Sequence, residues 1–564
     1  MGRAHDSAAQ AGAAHIKVGF EPLFFQLAPR EQRLSASSAV LSASAAAWTP
    51  SANRWMIAVS VMTATFMVVL DSSVANVALP HIAGNLSAST DEATWVLTSY
   101  LVSNAIMLPA TGWITGRIGR KRLLLLSIVL FTAASLLCGL AINMPMLILA
   151  RILQGIGGGG MQPLAQAILL ESFPPREHGT AMAVYGVGIV VAPVIGPTLG
   201  GWITDSYSWR WIFYINLPVG VLALFLAGMF IEDPPYIRRT LGGAIDYMGF
   251  TLMALWLGSL QLVLDKGQES DWLGAVWIRW GLFVSVVAFL SFIVRELRCR
   301  DPIVQLHVLK NRNFVTGTLI TALFGFVLYG VTALLPLFLQ TLLAYPALDS
   351  GLAVSPRGIG SMLAMMVAGG LAARLDGRVL LAVGLCIFGL STLMLSHVNL
   401  SIGMATVAVP CVINGFGGGL TFVPLTTMAM GRLRREEIGN ASGIYNLMRN
   451  IGGSIGIATV TTLLVRRSQV HQNYLGAHLT AGGHAAGDVM AGIEARLGAA
   501  GFDAWTAHHM ALGAVYRMVQ QQAALLAYVD NFSLLGAMAL LAMPLVFLFQ
   551  RVQKHESVPE RAQG

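Results

Sequence analysis

The sequence predicts an all-α integral membrane protein: two six-helix bundles plus two inserted helices, fourteen transmembrane helices in all. Three observations predict it. Of 564 residues, 55% are hydrophobic and only 11% are charged, with a mean hydropathy of +0.67, whereas a soluble domain carries about 25% charged residues. Apolar runs of about 20 residues, the length that crosses a bilayer, recur along the chain. The chain also repeats itself. Arg176–Tyr185 aligns with Glu436–Tyr445, and Gln154–Gly159 with Asn414–Gly419, both at an offset of 260 residues. Gly112–Arg120 resembles Gly370–Arg378. Parallel repeats about an axis along the membrane normal, with a site between them, form a transporter architecture.

Taken in order, residues 1–50 are rich in Ala and Ser and hold no spanning run, so a disordered cytoplasmic tail is expected there. Residues 51–231 hold spans at 55–79, 94–114, 122–142, 147–170, 180–203 and 211–231, the first bundle. Residues 232–312 hold spans at 246–264 and 277–297, the insert. Residues 313–550 hold spans at 314–340, 351–373, 378–398, 402–430, 440–465 and 529–550, the second bundle. An exterior loop is expected at 466–528, with an amphipathic helix around 508–528, and a cytoplasmic tail at 551–564.

Basic residues set the orientation. Arg117, Arg120, Lys121 and Arg122 follow the second span, and Arg238 and Arg239 the sixth. Arg298, Arg300, Lys310 and Arg312 follow the eighth, and Arg432, Arg434 and Arg435 the twelfth. Both termini are therefore expected in the cytoplasm, with Arg466 and Arg467 a mild exception. The net charge of +8 thus marks topology and lipid contact, not nucleic-acid binding. Cys138, Cys299, Cys386 and Cys411 are scattered and give no disulfide framework or metal cluster. No cofactor is expected.

Three charges lie deep in the apolar runs: Asp71, Arg151 and Arg449. A charge at such depth costs several kcal/mol and usually faces a polar interior and does a job. No other long apolar stretch is read as carrying one so far from its ends. Asp71 lies about 12 Å and Arg151 about 6 Å below the outer surface at 1.5 Å per residue, so the two are at compatible depths. Burial and a nearby cation act on a carboxylate in opposite directions, and a group so balanced can exchange a proton as its surroundings change. Gln154 and Asn76 are the expected neutral hydrogen-bonding partners. Arg449, with Asn446 and Asn450, forms a polar patch near mid-depth, read as structural or gating in preference to substrate contact. Phe324 and Tyr329 are candidates for an apolar substrate wall, with helix packing the preferred reading.

Four motifs resemble the fourteen-helix drug:proton antiporter branch (EmrB/QacA-like) of the major facilitator superfamily, over residues 52–550. They are Leu70–Pro80, Gly112–Lys121, Arg151–Gly157, and Gly186–Pro193 continuing to Gly196–Gly201. The resemblance implies the major facilitator fold and proton-coupled export of lipophilic, aromatic or cationic drugs by alternating access. Asp71 and Arg151 would couple protons. Gly112, Gly116, Arg117, Gly119, Arg120 and Lys121 would form a conformational switch, and Gly186, Pro193, Gly196, Pro197, Gly200 and Gly201 the antiporter motif. That switch usually holds an acid where this chain has Gly116, so its latching ion pair is absent here or made differently. The resemblance further implies the inner membrane, and a periplasmic adaptor and outer-membrane channel as partners, with 466–528 as a contact surface.

Other readings compete with multidrug export. One is a dedicated exporter of one metabolite, such as an antibiotic or siderophore. Another is a non-transporting sensor with a transporter fold. An enzyme is not expected, because no nucleophile, base and orienting group occur together. Gly157–Gly160 is no phosphate loop: it lies inside a span, lacks a following Lys-Ser or Lys-Thr and follows no strand.

Overall fold

Backbone polar groups within a bilayer must be satisfied inside the chain, which leaves helices as the economical answer for apolar runs of this length. The computed structural model describes residues 50–234, 246–299, 301–372, 374–479 and 484–550. Both expected tails, but for Pro50, lie outside the described residues, as do Arg238, Arg239 and Arg300.

The first unit comprises α1 (Arg54–Asn85), α2 (Thr90–Ile118), α3 (Arg120–Gly139), α4 (Met144–Gly159), α5 (Met161–Ser172), α6 (His178–Ser206), the single turn α7 (Trp211–Tyr214) and α8 (Asn216–Phe230). The insert is α9 (Tyr247–Lys266) and α10 (Val276–Arg298). The second unit comprises α11 (Arg312–Leu337), α12 (Ala347–Val354), α13 (Pro356–Leu371), α14 (Gly377–Met394), α15 (Met404–Met430), α16 (Ile438–His478), α17 (His484–Ala499) and α18 (Ala504–Leu541). Local sequence starts several of these. Asn53, Asn143, Asp246, Asn311 and Asp376 cap α1, α4, α9, α11 and α14, and Ser89 with Glu92 forms a capping box on α2.

Among the described residues, eleven helices are long and apolar enough to cross a membrane. The expected spans 94–114, 147–170 and 440–465 are helical but fall outside that group. They correspond to α2, to α4 and α5 (which part at Gly160), and to α16. Their hydropathy is lowered by polar groups that the fold buries: Ser99 and Ser103 on α2, Arg151 and Gln154 on α4, Asn446 and Arg449 on α16. The expected exterior loop is largely helix. α16 runs on to His478, and α18 begins at Ala504 and continues unbroken into the last span.

The repeat holds at the level of atoms. A Cβ placed on Gly157 of α4 would lie 2.7 Å from the Phe131 backbone nitrogen on α3; one on Gly417 of α15 would lie 2.7 Å from Phe388 Cα on α14. Each unit thus seats a glycine of its fourth span on a phenylalanine of its third.

Helix termini rich in Arg and Lys gather at one end of the bundle. There Arg120, almost fully buried, pairs with Glu171 at the end of α5. Lys121 receives Asp233: its backbone N–H donates to Oδ1 at 2.9 Å, while its Nζ donates to the Gly228 carbonyl at 2.7 Å. Gly119 joins α2 to α3 at φ +89°, a left-handed conformation that favours glycine, and an added Cβ would meet Asp233 Oδ2 at 2.5 Å. Gly119→Ala is therefore expected to cost about 1–2 kcal/mol from backbone strain alone. A thermal unfolding midpoint equal to that of the wild type would contradict it.

Candidate functional site

Asp71 sits just past the middle of α1 and turns into the first unit. It is 2% exposed and Arg151 is 0% exposed. Arg151 Nη1 donates to Asp71 Oδ2 at 2.6 Å and to Gln154 Oε1 at 2.7 Å, and its Nε donates to the Val96 carbonyl at 3.0 Å. Gln154 Nε2 donates to Asp71 Oδ1 at 2.8 Å, and Asn216 Nδ2 donates to the same oxygen at 2.7 Å. Ser135 accepts from both amides, at 3.2 and 2.9 Å, and donates to the Phe213 carbonyl. The Arg151 guanidinium lies over the Tyr100 ring at 4.3 Å. Five elements thus meet in one network around the carboxylate: α1, α2, α3, α4 and the start of α8.

The three expected partners therefore meet: Asp71, Arg151 and Gln154. Asn76 does not join them. It is exposed and donates to the Ser72 carbonyl, because five residues along a helix turn it roughly 140° from Asp71. Asn216 and Ser135 take its place.

A second polar layer lies between the two units. Asn446 Nδ2 donates to Gln166 Oε1 at 2.8 Å, and Arg449 Nη2 donates to Gln162 Oε1 at 3.0 Å. Tyr185 of α6 donates to the Gln162 carbonyl and stacks on Phe422 of α15, centroids 6.2 Å apart. Glycines tighten the same seam: a Cβ on Gly112 would lie 2.7 Å from Asn440 Cα, and one on Gly443 2.8 Å from the Leu108 carbonyl oxygen. These contacts bring the units together towards the Arg-rich end.

The remaining sequence candidates fall as follows. Phe324 is buried against Phe388, centroids 5.3 Å apart, inside the second unit, and so forms packing and no cavity wall. Tyr329, half-buried, lies against Gly453 of α16. Gly116 has open space beside it, and Arg117 stacks on Trp113 at 4.3 Å. Pro193 and Pro197 lie within α6. Gly196 and Gly200 seat α6 on Ser73 and Val74 of α1, Gly186 faces Met365 of α13, and Gly201 only grazes Val77. One half-buried cation escaped the sequence reading: Arg357 on α13, whose Nη1 donates to Thr332 Oγ1 of α11 at 2.8 Å. Among the described residues no group of acids, histidines and cysteines is arranged to hold a metal.

The profile of the Major Facilitator Superfamily matches residues 61–457. The chain belongs to this superfamily. It is 37% identical over 426 residues to the multidrug export protein EmrB of Haemophilus influenzae, covering 75% of this chain and 83% of the relative. It is also 37% identical over 425 residues to the fatty acid resistance protein FarB of Neisseria gonorrhoeae, covering 75% and 83%. Among solved structures it resembles the human organic anion transporter MFSD10, at a TM-score of 0.58 with 13% identity, covering 88% of this chain and 99% of that one. That last likeness speaks for the fold. The chain is a multi-pass membrane transporter of the drug-export branch, as its four motifs implied.

Proposed function

We propose that the protein exports lipophilic small molecules across the inner membrane in exchange for protons, with its Arg-rich end and both termini in the cytoplasm. The observation that carries this reading is the fully buried Asp71–Arg151 pair. An ionised carboxylate only accepts hydrogen bonds, and Asp71 accepts three, from Arg151, Gln154 and Asn216. A proton on Asp71 removes the charge that strengthens these bonds, above all the charge-assisted one from Arg151, and turns an acceptor oxygen into a donor that needs a new partner. Proton uptake and rearrangement of α1 against α4 and α8 are then a single event. α6 transmits it: its glycines seat it on α1 directly after Asp71 and, through Gly186, on α13 of the other unit. The relatives named for multidrug export support the cargo class. The helices of 466–528 offer the surface on which an adaptor leading to an outer-membrane channel would dock. An adaptor retained equally well by a chain lacking 466–528 would discard that contact.

The test is reconstitution in vesicles with an imposed pH gradient and fluorescent lipophilic probes of either charge. Wild-type protein should accumulate at least one probe against its gradient, and Asp71→Asn should lower that accumulation at least thirtyfold while probe binding persists. Undiminished uphill transport by Asp71→Asn would remove Asp71 from the coupling role.

A further inference from the structure

The two units are built alike but charged differently. In the first, Gly155 of α4 abuts the backbone of Tyr100 on α2; in the second, Gly415 of α15 abuts the backbone of Arg357 on α13. The same repeat sets Cys411 where the first unit has Arg151. Asn414 stands where Gln154 stands and likewise reaches the neighbouring third span, donating to Ser391 and Thr392 Oγ at 3.1 and 3.0 Å. The amide network is therefore kept, but its acid is lost: beyond Arg312, α11 carries no Asp, Glu, Lys or Arg. The cation has crossed from the fourth span of the repeat to the second.

Arg357 is left without a counter-charge. Among the described residues no carboxylate pairs with it, its one hydrogen bond goes to a neutral hydroxyl, and its Nη2 is buried without a partner. Arg449 is in the same condition, hydrogen-bonded to Gln162 with its Nε unpartnered. A cation without a counter-charge inside a membrane protein is costly, and two of them in one unit, Arg449 buried and Arg357 half-buried with its Nη2 enclosed, make that unit complementary to an anion. Both residues touch α11: the Arg449 backbone carbonyl lies against Gly325, and the Arg357 guanidinium bonds Thr332, seven residues further along that helix. On the same helix, Gly358 packs on the Val194 side chain of α6 and Gly360 on the Val412 backbone of α15.

We propose that Arg357, with Thr332 beside it, is the headgroup site for an amphiphilic organic anion, a carboxylate on an apolar body. The assignment rests on the export reading and narrows its cargo from lipophilic molecules in general to lipophilic acids. The guanidinium would supply Nη2 to the carboxylate, and Thr332, exposed on α11, its hydroxyl hydrogen by turning it from the Leu328 carbonyl, to which it donates at 2.6 Å.

The test is equilibrium binding to the full chain in lipid nanodiscs, with two probes of equal length: a pyrene-tagged decanoate and a pyrene-tagged alkyl trimethylammonium. Wild-type protein should prefer the decanoate. Arg357→Gln should weaken decanoate at least tenfold and leave the ammonium probe unchanged or tighter, and Arg357→Lys should stay within about threefold of wild type. Should Arg357→Gln fail to fold, Thr332→Val carries the test with a smaller, decanoate-selective loss. Equal loss of both probes, undiminished decanoate binding in the variants, or a wild type that prefers the ammonium or binds neither would overturn the proposal. No proton gradient is present, so failure here leaves proton coupling standing, and failure of gradient-driven transport leaves this site standing.

Discussion

Arg151→Gln is expected to be the most damaging single substitution in the first bundle, and pairing it with Asp71→Asn is expected to undo most of the damage. The guanidinium binds Asp71, Gln154 and the Val96 carbonyl with no access to water. Removing it strands a carboxylate in an apolar interior, which costs about 3–5 kcal/mol. In the double variant both residues are neutral and can hydrogen-bond to each other, to Gln154 and to Asn216. What remains lost is chiefly the bond to Val96, about 1 kcal/mol. Thermal unfolding of the purified protein, followed by size-exclusion, should show a deep drop for Arg151→Gln and a midpoint near wild type for the pair. Transport separates stability from mechanism: the stable double variant should show no gradient-driven accumulation, because its network has no group left to exchange a proton. Additive losses of stability in the two single variants would mean that the two charges do not depend on each other.

Much of that network was legible from depth alone. Asp71 and Arg151 stood out because a charge inside an apolar run is rare, and Gln154 follows Arg151 by three residues, hence on the same helix face. Asn216 and Ser135 gave no such signal. An amide and a hydroxyl are common in membrane helices, and only packing shows that α3 and α8 bring them to the carboxylate. Arg357 was missed because it stands near the start of the run 351–373, directly after Pro356, where a snorkelling side chain is the ordinary expectation. The fold instead sets α12 ahead of that helix and turns the guanidinium onto Thr332 of α11, with its Nη2 enclosed. Phe324 was left between two readings for a related reason: an aromatic on an apolar helix can face a cavity or a neighbour, and periodicity does not tell one apolar neighbour from another. The repeat was the most informative sequence signal. It gave the architecture, and read at atomic level it also exposed the charge asymmetry between the units.

Gly112→Leu should hold the two units apart at the Arg-rich end. Gly112 and Gly443 let α2 and α16 meet backbone to backbone, and a side chain at 112 would begin 2.7 Å from Asn440 Cα. Helix backbone cannot yield as a flexible side chain would, so α16 must move, and the buried bonds Asn446–Gln166 and Arg449–Gln162 open with it. Losing such contacts changes a two-state balance by about 1–3 kcal/mol, or 5–150-fold in population. The readout is labelling of Gln166→Cys by a water-soluble maleimide, with Cys138, Cys299, Cys386 and Cys411 replaced. Labelling should be at least tenfold faster in the Gly112→Leu background, and uphill transport should fall in step. The matched control lies in the repeat itself: Gly370 occupies the equivalent position in the second unit and has nothing within 4 Å of an added Cβ. Gly370→Leu should therefore leave labelling unchanged. Equal acceleration in both would trace the effect to general loosening of the bundle; acceleration confined to Gly112→Leu would tie it to the α2–α16 seam, and no acceleration in either would mean that this seam does not control access to Gln166.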